Sequence, residues 1–254
     1  PIIQAHAGVA ATQGKGDEPA FMRTLLCDKI TGYTACQAVT SALFLRERTG
    51  EGQHIDLSMI DSGLFFIFLD GFQNHTLLSD DHERGGMLID ILYDPWVCSD
   101  GGVIISAGSY EMQKRFLTSI DMQHLLEEQR FATFENQMRN IHVLKALVSE
   151  RCAELSCDDM VGRLREVDVP CAKVMTRDEV LAQEQLSANG TIDIYDHPTA
   201  GSSRRVLAPP LFGGERLKPG SGAPIHGQHT KEVLESFGMS EADIQKLSSD
   251  GVIA

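Results

Sequence analysis

The chain has 254 residues, 42% of them apolar and 23% charged, with a formal net charge of −14. That is enough to bury a core as one large domain or two small ones, and the acidic balance argues against a nucleic-acid partner, which needs clustered Lys and Arg. The longest apolar run, residues 63–69, falls far short of the roughly 20 residues a membrane helix requires, so no membrane partner is expected.

Residues 28–48 form the clearest helical pattern, with Ile30, Tyr33, Cys36, Val39, Ala42 and Leu43 at helical spacing and Gly50 as the stop signal. The Gly-Glu-Gly turn at 50–52 leads into residues 54–59, whose alternation predicts a strand, and a second apolar helix is expected from 61 towards 74. Residues 75–86 read as a polar linker. A hairpin is predicted from 93–98 and 103–107 around Ser99-Asp100-Gly101-Gly102, with the glycines supplying positive φ. Helices follow over 111–126, 140–155 and from 158 to just before Val169-Pro170. Residues 169–175 read as a strand, and Thr176 to Glu179 as a capping box opening the next helix. Two strands, 192–195 and 204–207, bracket a turn. A Pro/Gly-rich loop, 209–227, leads to short helices over 230–237 and 241–247. The mixed order predicts an α/β fold, divided into a helical part (1–75), a small α/β domain (76–190) and a C-terminal return segment (191–254).

Asp28 stands where a helix begins, so backbone N–H groups and the positive end of the helix dipole favour its ionised form. That position taken alone reads first as an N-cap; it would also suit a nucleophilic carboxylate, since attack on a thioester needs an ionised oxygen. Glu111, at another helix start, reads as a dipole-favoured surface acid. His226 and His229 lie at a loop-to-helix junction without a third ligand nearby, so no metal is expected. Arg46 and Arg48 read as solvated charges ending a helix, and Trp96 as hairpin packing. The six cysteines, Cys27, Cys36, Cys98, Cys152, Cys157 and Cys171, are scattered without a CxxC pair, as in buried thiols of a cytoplasmic protein. The chain opens at Pro1 without an initiator Met and reads as a fragment of something longer.

Asp28-Lys-Ile-Thr-Gly32, Arg46-Glu-Arg-Thr-Gly-Glu-Gly-Gln53 and Ile55-Asp-Leu-Ser-Met-Ile-Asp61 closely resemble the core block of the family III CoA-transferases. Ile3-Gln4-Ala5-His6-Ala7-Gly8 is similar to the segment preceding that block, and Ser99-Asp100-Gly101-Gly102, residues 169–174, Asp196-His197-Pro198 and residues 227–234 are similar to later stations in the same order. The resemblance implies a two-domain α/β subunit in an interlocked homodimer, with the N-terminal nucleotide-fold half, and much of the CoA site, largely missing from this sequence. The CoA-binding residues are therefore unassigned.

It implies further that Asp28 is the covalent nucleophile of an acyl-CoA:carboxylate CoA-transferase. Coenzyme A thioester would be the substrate and no permanently bound cofactor would be needed. Asp28 would pass through an acyl anhydride and an aspartyl-CoA thioester before CoA reaches the acceptor acid. The family's glycine loop over the active site has its nearest counterpart in Gly85 and Gly86. A related branch, the α-methylacyl-CoA racemases, uses the aspartate with a histidine and a glutamate, and Gly108 to Gln113 is similar to the stretch carrying that glutamate, which would be Glu111. Against that branch, Asp28 is followed by Lys-Ile-Thr-Gly instead of an aromatic and glycine run. A non-catalytic CoA-binding remnant is the third reading. On this resemblance the 254-residue chain alone should expose apolar surface from its N-terminal helices.

Overall fold

Residues 26–49 contain no proline and one glycine, and in the computed structural model they form the longest helix, α3 (Leu26–Thr49). The structure describes residues 1–15, 18–79, 81, 93–220 and 222–253. The chain falls into two compact units, Pro1–Val174 and Met175–Ala254.

The first unit opens with two short helices, α1 (Ile2–His6) and α2 (Val9–Gln13). They are joined through Gly8 at φ +80°, where an added Cβ would lie 2.7 Å from Phe72 Cζ. Helix α3 follows and ends at Gly50, whose left-handed φ of 78° lets its N–H close on Arg46 O at 2.8 Å. Helix α4 (Met59–Gly71) starts from Ser58, which caps it by accepting from the Asp61 N–H. Ala7, Val9, Cys27 and Ile67 form the small core where these helices meet. Beyond it, α3 and α4 border an apolar trough of about 820 Å³ lined by Ile30, Tyr33, Phe65 and Leu69 among others.

A larger core lies in the rest of this unit. Strands β1 (Trp96–Cys98), β2 (Gly101–Ile105) and β3 (Cys171–Lys173) form an antiparallel sheet in that order, with Trp96 opposite Val103 and Ile104 opposite Ala172. Helices α5 (Tyr110–Ser119), α6 (Phe134–Arg139), α7 (Ile141–Cys152) and α8 (Cys157–Glu166) surround it. Val103, Ile120, Phe131, Cys152, Met160 and Leu164 are wholly buried among them. Asp100, in the β1–β2 turn, accepts from the Cys157 N–H at 2.7 Å. The hairpin tip thereby fastens the first turn of α8.

The second unit contains α9 (Arg177–Leu181), α10 (Glu184–Ala188), a β4–β5 hairpin (Ile192–His197, Gly201–Val206), a small β6–β7 hairpin (Leu211–Phe212, Glu215–Arg216), α11 (Thr230–Ser236) and α12 (Glu241–Ser249). The capping box at α9 is complete: Glu179 N–H donates to Thr176 Oγ1, and Glu179 Oε2 accepts from Thr176 N–H. In the β4–β5 hairpin, His197 Nδ1 accepts from the N–H groups of Thr199 and Ala200 while Nε2 bonds Ala223 O at 2.6 Å.

Several sequence expectations need correction. Residues 51–58 lie outside any strand, and residues 51–57 are exposed; alternation alone makes no strand, and among the described residues no edge pairs with this segment. Gly101 and Gly102 do not take positive φ. The turn is Ser99-Asp100, and the glycines instead give clearance, since a Cβ on Gly101 would lie 3.1 Å from Cys157 Sγ. The helix foreseen over 111–126 ends at Ser119, because Asp121 adopts φ +65°. Tyr33, Val39 and Leu43 of α3 are 75%, 50% and 45% exposed, the apolar surface expected of the N-terminal helices in this chain alone. Of the six cysteines, Cys27, Cys98, Cys152 and Cys157 are buried, and Cys36 is exposed. Among the described residues no helix is long and apolar enough to cross a membrane. Trp96 packs as foreseen, tilted against Phe116 with ring centres 5.4 Å apart.

Candidate active site

Asp28 is not the N-cap. Leu25 holds that position and offers no side-chain bond, so Asp28 occupies the third residue of α3. The N–H groups of a helix's first turn have no partner within the helix. Here they lie beside an exposed carboxylate, uncovered by any capping side chain. Among the described residues no hydrogen bond or ion pair engages the Asp28 carboxylate. An anion at this point is favoured by the helix dipole, and the same amides could stabilise a second negative oxygen formed nearby.

The backbone carrying Asp28 is fixed from beneath. Gln4, 2% exposed, receives the Met22 N–H on Oε1 at 3.0 Å and donates Nε2–H to Met22 O at 3.1 Å and Thr24 O at 3.0 Å. Its amide thus serves residues 22–24 as a strand edge would. Lys29 Nζ adds a bond to Thr24 Oγ1 at 2.8 Å. Cys27, buried directly before Asp28, anchors the turn to the small core, and burial pushes its thiol pKa up. Gly63 of α4 permits the close approach, for an added Cβ would come within 3.0 Å of Ala7 Cβ and 3.7 Å of Cys27 Sγ.

Sequence reasoning singled out Asp28 and gave Gln4 no role. The available signal was a polar residue sharing a helix face with Ala7, where burial forces its amide to bond internally. Glu111 stands in the first turn of α5, which Ser109 caps through the Met112 N–H. Its carboxylate pairs with Lys114 at 2.5 Å and is largely exposed. Among the described residues it makes no hydrogen bond or ion pair with Asp28. Gly85 and Gly86 lie outside the described residues. Arg46 pairs with Glu47 at 3.4 Å and Arg48 stacks over Phe44 at 5.6 Å, both at the far end of α3 from Asp28. Among the described residues no cluster of three or more His, Cys, Asp or Glu could hold a metal ion.

Known CoA-transferase sequences resemble the chain along essentially its full length, two of them as follows. An acyl-CoA transferase of Fusarium pseudograminearum (strain CS3096) is 27% identical over 100% of this chain and 56% of its own length. An (R)-2-hydroxy-4-methylpentanoate CoA-transferase of Clostridioides difficile is 25% identical over 98% of this chain and 63% of its own. The chain therefore spans less than two thirds of either relative. A crystal structure of a CaiB/BaiF family protein from Brucella suis superposes with a TM-score of 0.74 at 27% identity, covering 92% of this chain and 61% of that one. The family profile described as CoA-transferase family III matches residues 1–230. The chain has the mixed α/β fold of, and belongs to, CoA-transferase family III.

Proposed function

We propose that this chain is the part of an acyl-CoA:carboxylate CoA-transferase that carries its nucleophile, Asp28. The observation that carries the reading is the exposed Asp28 on the uncapped first turn of a buried-rooted helix, within a chain matching the family over residues 1–230.

The reaction runs as four acyl exchanges. An Asp28 oxygen attacks the donor thioester carbonyl, forming the mixed anhydride and expelling CoA thiolate. The thiolate attacks the aspartyl carbonyl of that anhydride, giving an aspartyl-CoA thioester and releasing the donor carboxylate. The acceptor carboxylate attacks the aspartyl thioester, forming a second anhydride and freeing the thiolate again. Attack of the thiolate on the acceptor's acyl carbonyl yields the new acyl-CoA and restores the Asp28 carboxylate. The oxyanion formed at each attack is where the α3 amides act, and Gln4 keeps that first turn from shifting under the reacting carbonyl.

The reading includes a homodimer. Its support is the exposed apolar surface of α3 and α4, with Tyr33, Phe65 and Leu69 75%, 86% and 81% exposed. Racemisation would enlist Glu111, whose carboxylate is engaged by Lys114. Hydroxylamine added to the enzyme carrying this chain during turnover with an acyl-CoA tests the reading. Peptide mass spectrometry should find a hydroxamate on Asp28. An unmodified Asp28 in an enzyme that is turning over refutes it, and α-carbon deuterium uptake without an acceptor acid would replace it with racemisation.

A further inference from the structure

We propose that His197 is a proton-operated joint: neutral, it ties the β4–β5 turn to the strap of residues 217–227, and a proton taken from solvent uncouples the two. Every group involved belongs to the second unit. The imidazole Nε2 lies 2.6 Å from Ala223 O, which can only accept, so Nε2 carries the proton. Nδ1 is then the bare nitrogen, and it accepts from the Thr199 N–H at 3.2 Å, the Ala200 N–H at 3.1 Å and the Thr199 hydroxyl at 3.1 Å. One edge of the ring holds the strap and the other holds the turn.

The strap is seated as well as bonded. A Cβ on Gly222 would come within 2.6 Å of Tyr195 Cε2 and 3.0 Å of His197 Cδ2, so the backbone lies directly against both rings. A second proton can enter only at Nδ1, where it would point at two backbone N–H groups that cannot accept it. The Thr199 hydroxyl can rotate to do so; the amides cannot. The ring must then either leave, taking its Nε2–H from Ala223 O, or stay and force the turn open. The surrounding groups offer no compensation. Tyr195 stands edge-on with ring centres 6.4 Å apart, and Arg205 lies 4.6 Å over the Tyr195 ring. Asp193 is engaged by Arg205 at 2.7 Å and by the strap's Lys218 at 3.8 Å, while Asp196 points to the opposite face of β4. Residues 198–200 carry no charge. Among the described residues, no carboxylate pairs with His197, and the strap's other titratable group, His226, makes no hydrogen bond with it. Nothing in this joint draws on the CoA-transfer reading, so either can fail alone.

Proton–nitrogen NMR of the isotopically labelled 254-residue chain reads the imidazole directly. At about pH 7.5 the His197 ring should be neutral with its proton on Nε2, and the Thr199 and Ala200 amides should be protected from hydrogen exchange. At about pH 5 the ring should carry both protons. Both amides should then lose roughly tenfold in protection, the worth of one or two hydrogen bonds, while the β4–β5 ladder keeps its own. His197→Asn places an oxygen where Nδ1 stood and takes up no proton, so the turn amides should stay protected at both pH values. Should that variant not fold, His197→Gln, which cannot titrate either, should show equally low protection at both. The proposal fails if the neutral ring carries its proton on Nδ1, if the two amides keep their protection in acid, or if a pH-dependent loss survives in either variant.

Discussion

The Gln4 side-chain amide and the Met22 backbone exchange two hydrogen bonds, N–H to Oε1 at 3.0 Å and Nε2–H to the carbonyl at 3.1 Å. Gln4 is 2% exposed, so its side of the Met22 backbone is closed to water in the folded protein. Gln4→Leu keeps the bulk and strands the N–H and C=O of Met22 and the C=O of Thr24. We expect a loss of about 2–4 kcal/mol in urea unfolding. Turnover should fall further than the folded fraction accounts for, since residues 22–24 lead directly into the turn bearing Asp28.

Asp28→Asn separates chemistry from stability. The amide has the same shape and cannot attack a thioester, so turnover should drop by at least about 10³-fold in steady-state assays. The side chain is exposed, and the fold loses only its interaction with the helix dipole, about 0.3–1 kcal/mol. A variant that retains substantial turnover would remove Asp28 from the mechanism.

Acid should destabilise the protein through identifiable carboxylates. Hydrogen bonds from Lys145 and then Lys15 hold Asp94 below the ordinary range. The Cys157 N–H does the same for Asp100, Arg163 and Arg151 for Asp121, and Lys231 for Glu241. The unfolded chain takes up protons on these groups before the folded chain does. Their stabilisation is complete above the usual carboxylate range, about pH 4, and is lost as pH falls through the depressed folded values. Urea midpoints should decline below about pH 4, and Asp121→Asn should flatten that slope.

Base should act through buried thiols. Burial pushes Cys152 and Cys157 from 9.0 up to about 12. In the unfolded chain they lose protons near 9, while the folded protein keeps them protonated until about 12. Stability therefore declines as pH rises through that window. Cys152→Ala, less stable throughout because the site is wholly buried, should show a shallower decline over the same range in denaturation series.

Gly8→Ala tests the packing under the candidate site. The residue sits at φ +80° and its new methyl would meet Phe72 Cζ at 2.7 Å. Strain and collision together should cost about 1–3 kcal/mol. Gly50→Ala, at φ +78° with open space around it, should cost less, about 1 kcal/mol; equal losses at the two positions would show that the Phe72 contact is immaterial.

Local chemistry in the sequence was enough for elements that close on themselves. Gly50 ended α3, Thr176 and Glu179 made both bonds of their box, and the hairpin near Ser99-Asp100 formed because its two strands are neighbours in the chain. Where an element needs a distant partner, the pattern misled. Residues 54–59 alternate like a strand yet pair with nothing described. Asp28 was legible as the carboxylate at a helix start, while its support from Gln4 depends on a contact across 18 to 20 residues that spacing does not encode.

Helix α3 has 24 residues, about 36 Å of rise, yet its buried residues, Cys27 and Ile30, both belong to its first two turns. It is rooted like a mast at the deck, with Asp28 at the footing. A push on the distal turns becomes a tilt about that footing, and the aim of the Asp28 oxygens follows the tilt. On the reading that Asp28 is the nucleophile, contacts made far from it would govern how squarely it faces an incoming carbonyl.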